Sequence, residues 1–371
     1  MNYFDKFSWP VMLSQWPERN YNILEYHKIL SPDFPEFINK YLNLPMLERL
    51  KGIGLLCGTD WTKLYKNRIY YSRFSHSVGV ALIIWHFTHD KAQTIAGLLH
   101  DVSTPVFSHV SDFRKGDALT QTVTEAPNES IIKSSEELRR LLEEDNLTIA
   151  QIDDYHKYPV ADNEIPQLSG DRLEYMFPSG MALDGSWTME EIRQCYNDVV
   201  ILTNEEGLEE LGFKTKETAE LYCYRFCMIG HILQLNENKL TLHLLGQIMN
   251  KAEKENILSE NDFMTLSESD VIAKLDSFLC QDKPLTEKQF YLKRLYNTFR
   301  NMREVIHTEA PLPEDEYFSV SLKVKLRYIN PLVATEQGRA YRLADVSMKA
   351  DRLIKDFLAY SDTPYGCVKL I

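Results

Sequence analysis

Along most of the chain, apolar residues recur at helical spacing and rarely alternate, which predicts a mainly α protein. Pro45 to Leu56 follows this pattern, and a loop marked by Gly58, Asp60 and Asn67 comes next. Between Phe74 and Phe87, the residues Gly79, Val80, Ile83, Ile84 and Phe87 form one stripe, which His76 extends a turn upstream. Thr88-His89-Asp90 interrupts the stripe, with Asp90 placed to cap a second helix that carries Ala92, Ile95, Ala96 and Leu99 inward. That helix ends at His100-Asp101, because Ser103, Thr104 and Pro105 break the pattern. A polar loop over 114–128, an amphipathic helix over 129–142 and an irregular stretch over 143–167 follow. Ser169 then caps a helix bearing Asp171, Leu173 and Tyr175. Further helices fit 188–202, 215–235, 238–254, 268–281 and 286–306. The tail differs: Tyr317 to Tyr328 reads as strand, 343–358 as a last helix and 366–370 as another strand. We therefore expect a main helical domain over 1–255 and an appended C-terminal region with a few strands over 256–371.

The 371 residues are enough for two domains, and a formal net charge of −13 argues against a nucleic-acid surface. Lys288, Lys293, Arg294, Arg300 and Arg303 form a local basic run, which reads as a solvated helix face. The six cysteines are scattered and predict no disulfide framework. The N-terminus resembles no signal peptide, and the longest apolar run, Val78 to Trp85, is too short to span a bilayer. A cytoplasmic protein without membrane attachment is the expectation.

Helices joined by a short turn lie antiparallel, so the start of the first and the end of the second come together. His76 therefore meets His100 and Asp101, and Asp171 at a later helix start offers a second carboxylate. Two imidazoles with carboxylates suit a divalent transition metal, Fe, Mn, Ni, Zn or Co, with Mg as a further candidate. Open positions on such an ion would acidify a water and polarise a phosphoryl oxygen. His89-Asp90 is a decoy of the same composition, read here as an exposed turn.

The stretches Tyr71-Ser-Arg-Phe-Ser-His-Ser-Val-Gly-Val80 and Ala96-Gly-Leu-Leu-His-Asp-Val-Ser-Thr-Pro-Val-Phe-Ser-His109 resemble the HD-domain phosphohydrolases. They are most similar to the branch of deoxynucleoside triphosphate triphosphohydrolases, as are Ser169-Gly-Asp-Arg-Leu-Glu-Tyr175 and Leu47-Glu-Arg-Leu-Lys-Gly-Ile53. The likeness covers about 47–130 and 168–177. It implies an HD helical bundle, a metal held by His76, His100, Asp101 and Asp171, and hydrolysis of a nucleotide or small phosphate ester by a metal-activated water. It further implies that Arg73 faces phosphate, where its planar fork can hold two oxygens, the alternative being a surface ion pair. His109 and Asp112, a helical turn apart, would form an acid/base pair, unless His109 merely packs at a helix start. Arg172 and Tyr175 match substrate-side positions. A homo-oligomer is also implied.

The departures matter as much as the matches. Ser103-Thr104 stands where the family has Gly-His, and Asn128-Glu129 where the branch often has His-Glu. Thr104 and Asn128 thus become substrate-side candidates of altered chemistry, and two proton donors are lost. The alternative to an enzyme is a non-catalytic nucleotide-binding HD module with a regulatory role.

Overall fold

The helical hairpin expected around residue 89 forms the centre of the fold. In a computed structural model, which describes residues 2–7, 9, 21–121, 127–279, 284–336 and 339–371, the hairpin consists of α1 (Arg73–Thr88) and α2 (Lys91–Leu99). Ser72 caps α1 by accepting from Ser75 N–H, and the Asp90 side chain accepts from Gln93 N–H. Every residue from His76 to Ile84 is buried, so α1 is apolar on all sides and runs through the interior. The chain continues through α3 (Val110–Arg114), α4 (Gly170–Leu183), α5 (Lys216–Gln234), α6 (Asn236–Lys254) and, near the end, α7 (Met348–Ala359). Helix α4 crosses α1 at Gly79, where any Cβ would strike the Glu174 carboxylate. Among the described residues no helix is long and apolar enough to cross a membrane.

The strands, all short, are β1 (Val199–Thr203), β2 (Glu209–Phe213), β3 (Ile306–Thr308), β4 (Tyr317–Val320), β5 (Leu332–Ala334), β6 (Ala340–Arg342) and β7 (Tyr365–Lys369). One sheet runs β1-β2-β5-β6, with β2 and β5 parallel through Gly212 opposite Leu332; the other is antiparallel, in the order β3-β7-β4. The apolar core is continuous from Phe4 to Leu370 across residue 255. An Arg342–Glu210 pair, at 2.7 and 2.9 Å and with Glu210 fully buried, ties β6 to β2, and Glu210 also accepts from Leu168 N–H just ahead of α4.

Several boundaries differ from the sequence expectation. The helix expected over 188–202 ends at Asn197, and the β-branched run Val199 to Thr203 pairs as a hairpin with β2 through a turn at Gly207 (φ 81°). The helix over 129–142 splits into Asn128–Ser134 and Glu136–Glu144, because Ser135 turns to cap the second piece. Ser347 likewise divides 343–358. The strand expected through Tyr328 stops at Val320. Residues 280–281 of the expected 268–281 helix lie outside the described residues.

His231 on α5 sits fully buried between the rings of Phe4 (4.9 Å) and Tyr360 (4.4 Å), hydrogen-bonded to the Phe7 carbonyl at 3.3 Å. Burial pulls its pKa down to about 4, against the partial opposition of that hydrogen bond. The folded state thus favours the neutral ring, a stabilisation complete above the ordinary value near 6.5 and lost as pH falls toward 4. Between pH 7 and pH 4.5 the loss is about 2 kcal/mol. His231→Phe should therefore weaken the acid-side decline in stability by that amount, as read from urea melts at the two pH values.

Candidate metal centre

Helix geometry brings the four expected ligands to one point. His76, on the first turn of α1, and His100, just past the end of α2, face each other with their Nε2 atoms 3.2 Å apart. Asp171, on the first turn of α4, puts Oδ1 at 3.0 Å from His76 Nε2 and 3.7 Å from His100 Nε2. Asp101 Oδ2 lies 3.8 and 3.7 Å from the same two nitrogens. His76, His100 and Asp101 are buried and offer ligand atoms all within 4.8 Å of one another, the spacing of a single ion's donors.

The other nitrogen of each ring is already engaged. His100 Nδ1 is 2.7 Å from the Gly97 carbonyl, which can only accept, so Nδ1 carries the hydrogen. His76 Nδ1 is 2.5 Å from Glu174 Oε2 and donates to it. With both Nδ1 atoms protonated, the Nε2 lone pairs converge with two carboxylates on one spot. That arrangement is repulsive unless a positive charge lies between the groups, and it matches the donor set of a divalent cation. Burial opposes charge on His76, but Glu174 and Asp171 outweigh it and push its pKa up to about 10. Burial likewise opposes ionisation of Asp101 and Asp171. Arg73 with the imidazoles holds the first well below the usual carboxylate range, and His76 with His100 holds the second there.

Glu174 is a positioning residue that the sequence reading missed. Fully buried, it takes the His76 ring on one oxygen and the Tyr71 hydroxyl, at 2.5 Å, on the other. Its signal was present: it lies three residues after Asp171, on the same helix face.

A second network fixes Arg73. Its Nη1 donates to Asp101 Oδ2 at 2.8 Å and its Nε to Ser108 Oγ at 3.0 Å; Ser108 donates in turn to the Gly54 carbonyl. Glu268, from beyond residue 255, accepts from Gly54 N–H at 3.0 Å and Trp61 Nε1–H at 2.7 Å, and burial drives its pKa up to about 7. Phe107 and Ser108 both adopt left-handed backbone (φ 61° and 53°), at a cost of about 1 kcal/mol each, held by these contacts.

A cavity of about 190 Å³ opens onto the cluster. Arg73, Thr104, His109, Arg172 and Tyr175 line it together with the four ligand candidates. Asp112 lies behind, fully buried, accepting from His109 Nδ1 at 2.9 Å. Burial lowers the His109 pKa; Asp112 opposes this, while Arg327 and Arg73 reinforce it. Thr104 donates its hydroxyl to Asp101 Oδ1 at 2.9 Å. Arg172 is committed to the wall: it holds the Gln167 carbonyl at 2.9 Å, both oxygens of Asn163, and Asp162 at 3.3 Å. Asn128 is half-buried at a helix start and does not line the cavity. Residues without a local sequence signal complete the wall, among them Gln121, Tyr155, Lys325 and Arg327.

Fold and cluster together define a mainly α protein with a buried His/Asp group of metal-holding type. Two solved structures share the fold. One is a phosphohydrolase from Bacteroides thetaiotaomicron (TM-score 0.58, 15% identity, covering 91% of this chain and 96% of that one). The other is a hypothetical protein from Aquifex aeolicus (TM-score 0.59, 15% identity, covering 91% and 93%). The uncharacterized protein YdhJ of Bacillus subtilis (strain 168) is 29% identical over 138 residues, which span only 35% of this chain and 38% of that relative. No family model matches the chain.

Glu174→Gln keeps the shape but loses the carboxylate that orients and charges His76. Metal affinity should fall about 10- to 100-fold, with little change in the fold. Competitive chelator titration followed by circular dichroism checks both halves.

Proposed function

We propose that this chain is a metal-dependent phosphohydrolase acting on a nucleotide or related phosphate ester. The observation that carries the reading is the convergence of two imidazole Nε2 atoms and two carboxylates at the wall of a cavity that also presents arginines. Carboxylates and histidines attract a cation, while Arg73, Lys325 and Arg327 attract an anion, and a phosphate ester on a divalent ion satisfies both. The phosphohydrolase from Bacteroides thetaiotaomicron, similar in fold, supports the same direction.

His76, His100, Asp101 and Asp171 would hold the ion, which when bound supplies Lewis acidity toward phosphoryl oxygen and acidifies a water. Glu174 keeps the His76 lone pair aimed inward. Arg73, anchored by Asp101 and Ser108, is pre-oriented to offset charge developing on phosphorus oxygens. His109 donates Nδ1–H to Asp112, which leaves Nε2 as the proton acceptor on the cavity side, unprotonated at neutral pH and within reach of Arg327. Thr104 replaces a proton donor with a hydroxyl already spent on Asp101, so proton traffic falls on His109 alone. A triphosphohydrolase acting on deoxynucleotides is the specific form favoured by the motif likeness.

The loss of Thr104 as a donor and the place of Asn128 outside the wall favour a second reading, a nucleotide-binding module without turnover. Elemental analysis and a turnover screen on one preparation separate the two. The enzyme reading expects about one equivalent of Mn, Fe, Ni, Zn, Co or Mg, release of phosphate, pyrophosphate or triphosphate from a nucleotide or ester panel, and loss of both metal and turnover in His76→Ala. Metal and nucleotide binding with no product from any panel member would sink the enzyme reading. Within it, His109→Gln should lower kcat about 10²- to 10⁴-fold while metal content holds.

A further inference from the structure

Three arginines line the cavity, and two are already neutralised. Arg73 pairs with Asp101, and Arg172 with Asp162 and loop carbonyls. Arg327 differs. Its Nη2 donates to Gln121 Oε1 at 2.7 Å and lies 3.5 Å from His109 Nε2, and its guanidinium sits 6.0 Å from the centre of the Tyr175 ring. All three neighbours are uncharged at neutral pH, and among the described residues no carboxylate pairs with Arg327. A half-buried guanidinium held by neutral groups has given up part of its hydration without gaining a counter-charge, which is costly unless a ligand supplies one. Lys325, two residues away in the same extended stretch, also lines the cavity without a carboxylate partner among the described residues.

The backbone here is held firmly enough to position such a group. Lys325 N–H donates to the Ala118 carbonyl at 3.2 Å, which ties the stretch to the loop carrying Gln121. On the other side, the Arg327 carbonyl presses against Gly230 of α5, where any Cβ would collide with it. Val324, Lys325 and Arg327 thus form a fixed wall of the same cavity that His76, His100, Asp101 and Asp171 line.

We propose that Arg327 is a substrate-binding residue: it takes an anionic oxygen of the substrate's phosphate group beside His109, so that the C-terminal region completes the site. This rests on the phosphohydrolase reading in taking the anion to be the substrate's phosphate. A planar guanidinium that lines the cavity, held only by uncharged partners, is suited to that job, and a neutral His109 next to it is a tolerable neighbour where a charged one would not be.

The test uses the full-length, metal-loaded protein as wild type, Arg327→Ala and Arg327→Lys. Orthophosphate is the binding probe by calorimetry, and steady-state kinetics are run on whichever ester the wild type turns over. The expected result is about 10- to 100-fold weaker orthophosphate binding and a matching rise in KM for Arg327→Ala, with metal content and melting temperature unchanged. Arg327→Lys should recover part of the binding. Unchanged orthophosphate binding in Arg327→Ala overturns the proposal. So does a fall in melting temperature or metal content shared by both variants, which would make Arg327 a structural wall residue. If the wild type turns over no ester, the hydrolase reading fails, yet the orthophosphate titration still decides whether Arg327 binds the anion.

Discussion

The site depends on an excess of negative charge gathered in a largely buried place. Asp101, Asp171 and Glu174 surround two imidazoles whose remaining lone pairs point at each other. In a low-dielectric interior such a set is stable only with compensating positive charge, and the raised pKa of His76 is the protein's own expression of that demand. Much of the nearby architecture exists to keep the set from relaxing. Gly79 lets α4 come close enough to seat Glu174, Tyr71 holds its second oxygen, and the Gly97 carbonyl stops the His100 ring from turning.

Much of this was legible in the sequence, for a physical reason. The α1–α2 hairpin announces itself through a long apolar stripe, a capped turn at Asp90 and a break at Pro105, and the antiparallel return then forces His76 and His100 together. Asp171 was found through its helix-start context. Glu174 was within reach by its three-residue spacing from Asp171, but a glutamate in a helix ordinarily reads as surface, and burial of a charge has no local signature. The β1–β2 hairpin was hidden differently: the β-branched run at 199–203 follows a good amphipathic helix with no polar break. Arg327 carried no signal at all, because its significance lies in contacts with residues some two hundred positions earlier.

Thr104 shows how a departure from a motif can be absorbed. The threonine hydroxyl reaches back to Asp101 and adds one more hydrogen bond to a carboxylate of the cluster. The positive side of the cavity is then provided by Arg73 and by the C-terminal stretch, so the division of labour between the two halves of the chain differs from what the motif region alone implies. Arg172 makes the complementary point. A residue at a substrate-side motif position can be wholly occupied in holding its own loop.

The parallel pairing of β2 with β5 and the Arg342–Glu210 bridge have a consequence for biosynthesis. Residues 324–342, far along the chain from the cluster, supply both a strand partner for the β1–β2 hairpin and one wall of the cavity. A nascent chain that has released all four imidazole- and carboxylate-bearing positions still lacks that wall, and Glu210 waits as a solitary charge. Until residues 324–342 have been made, the cluster keeps one side open to bulk solvent.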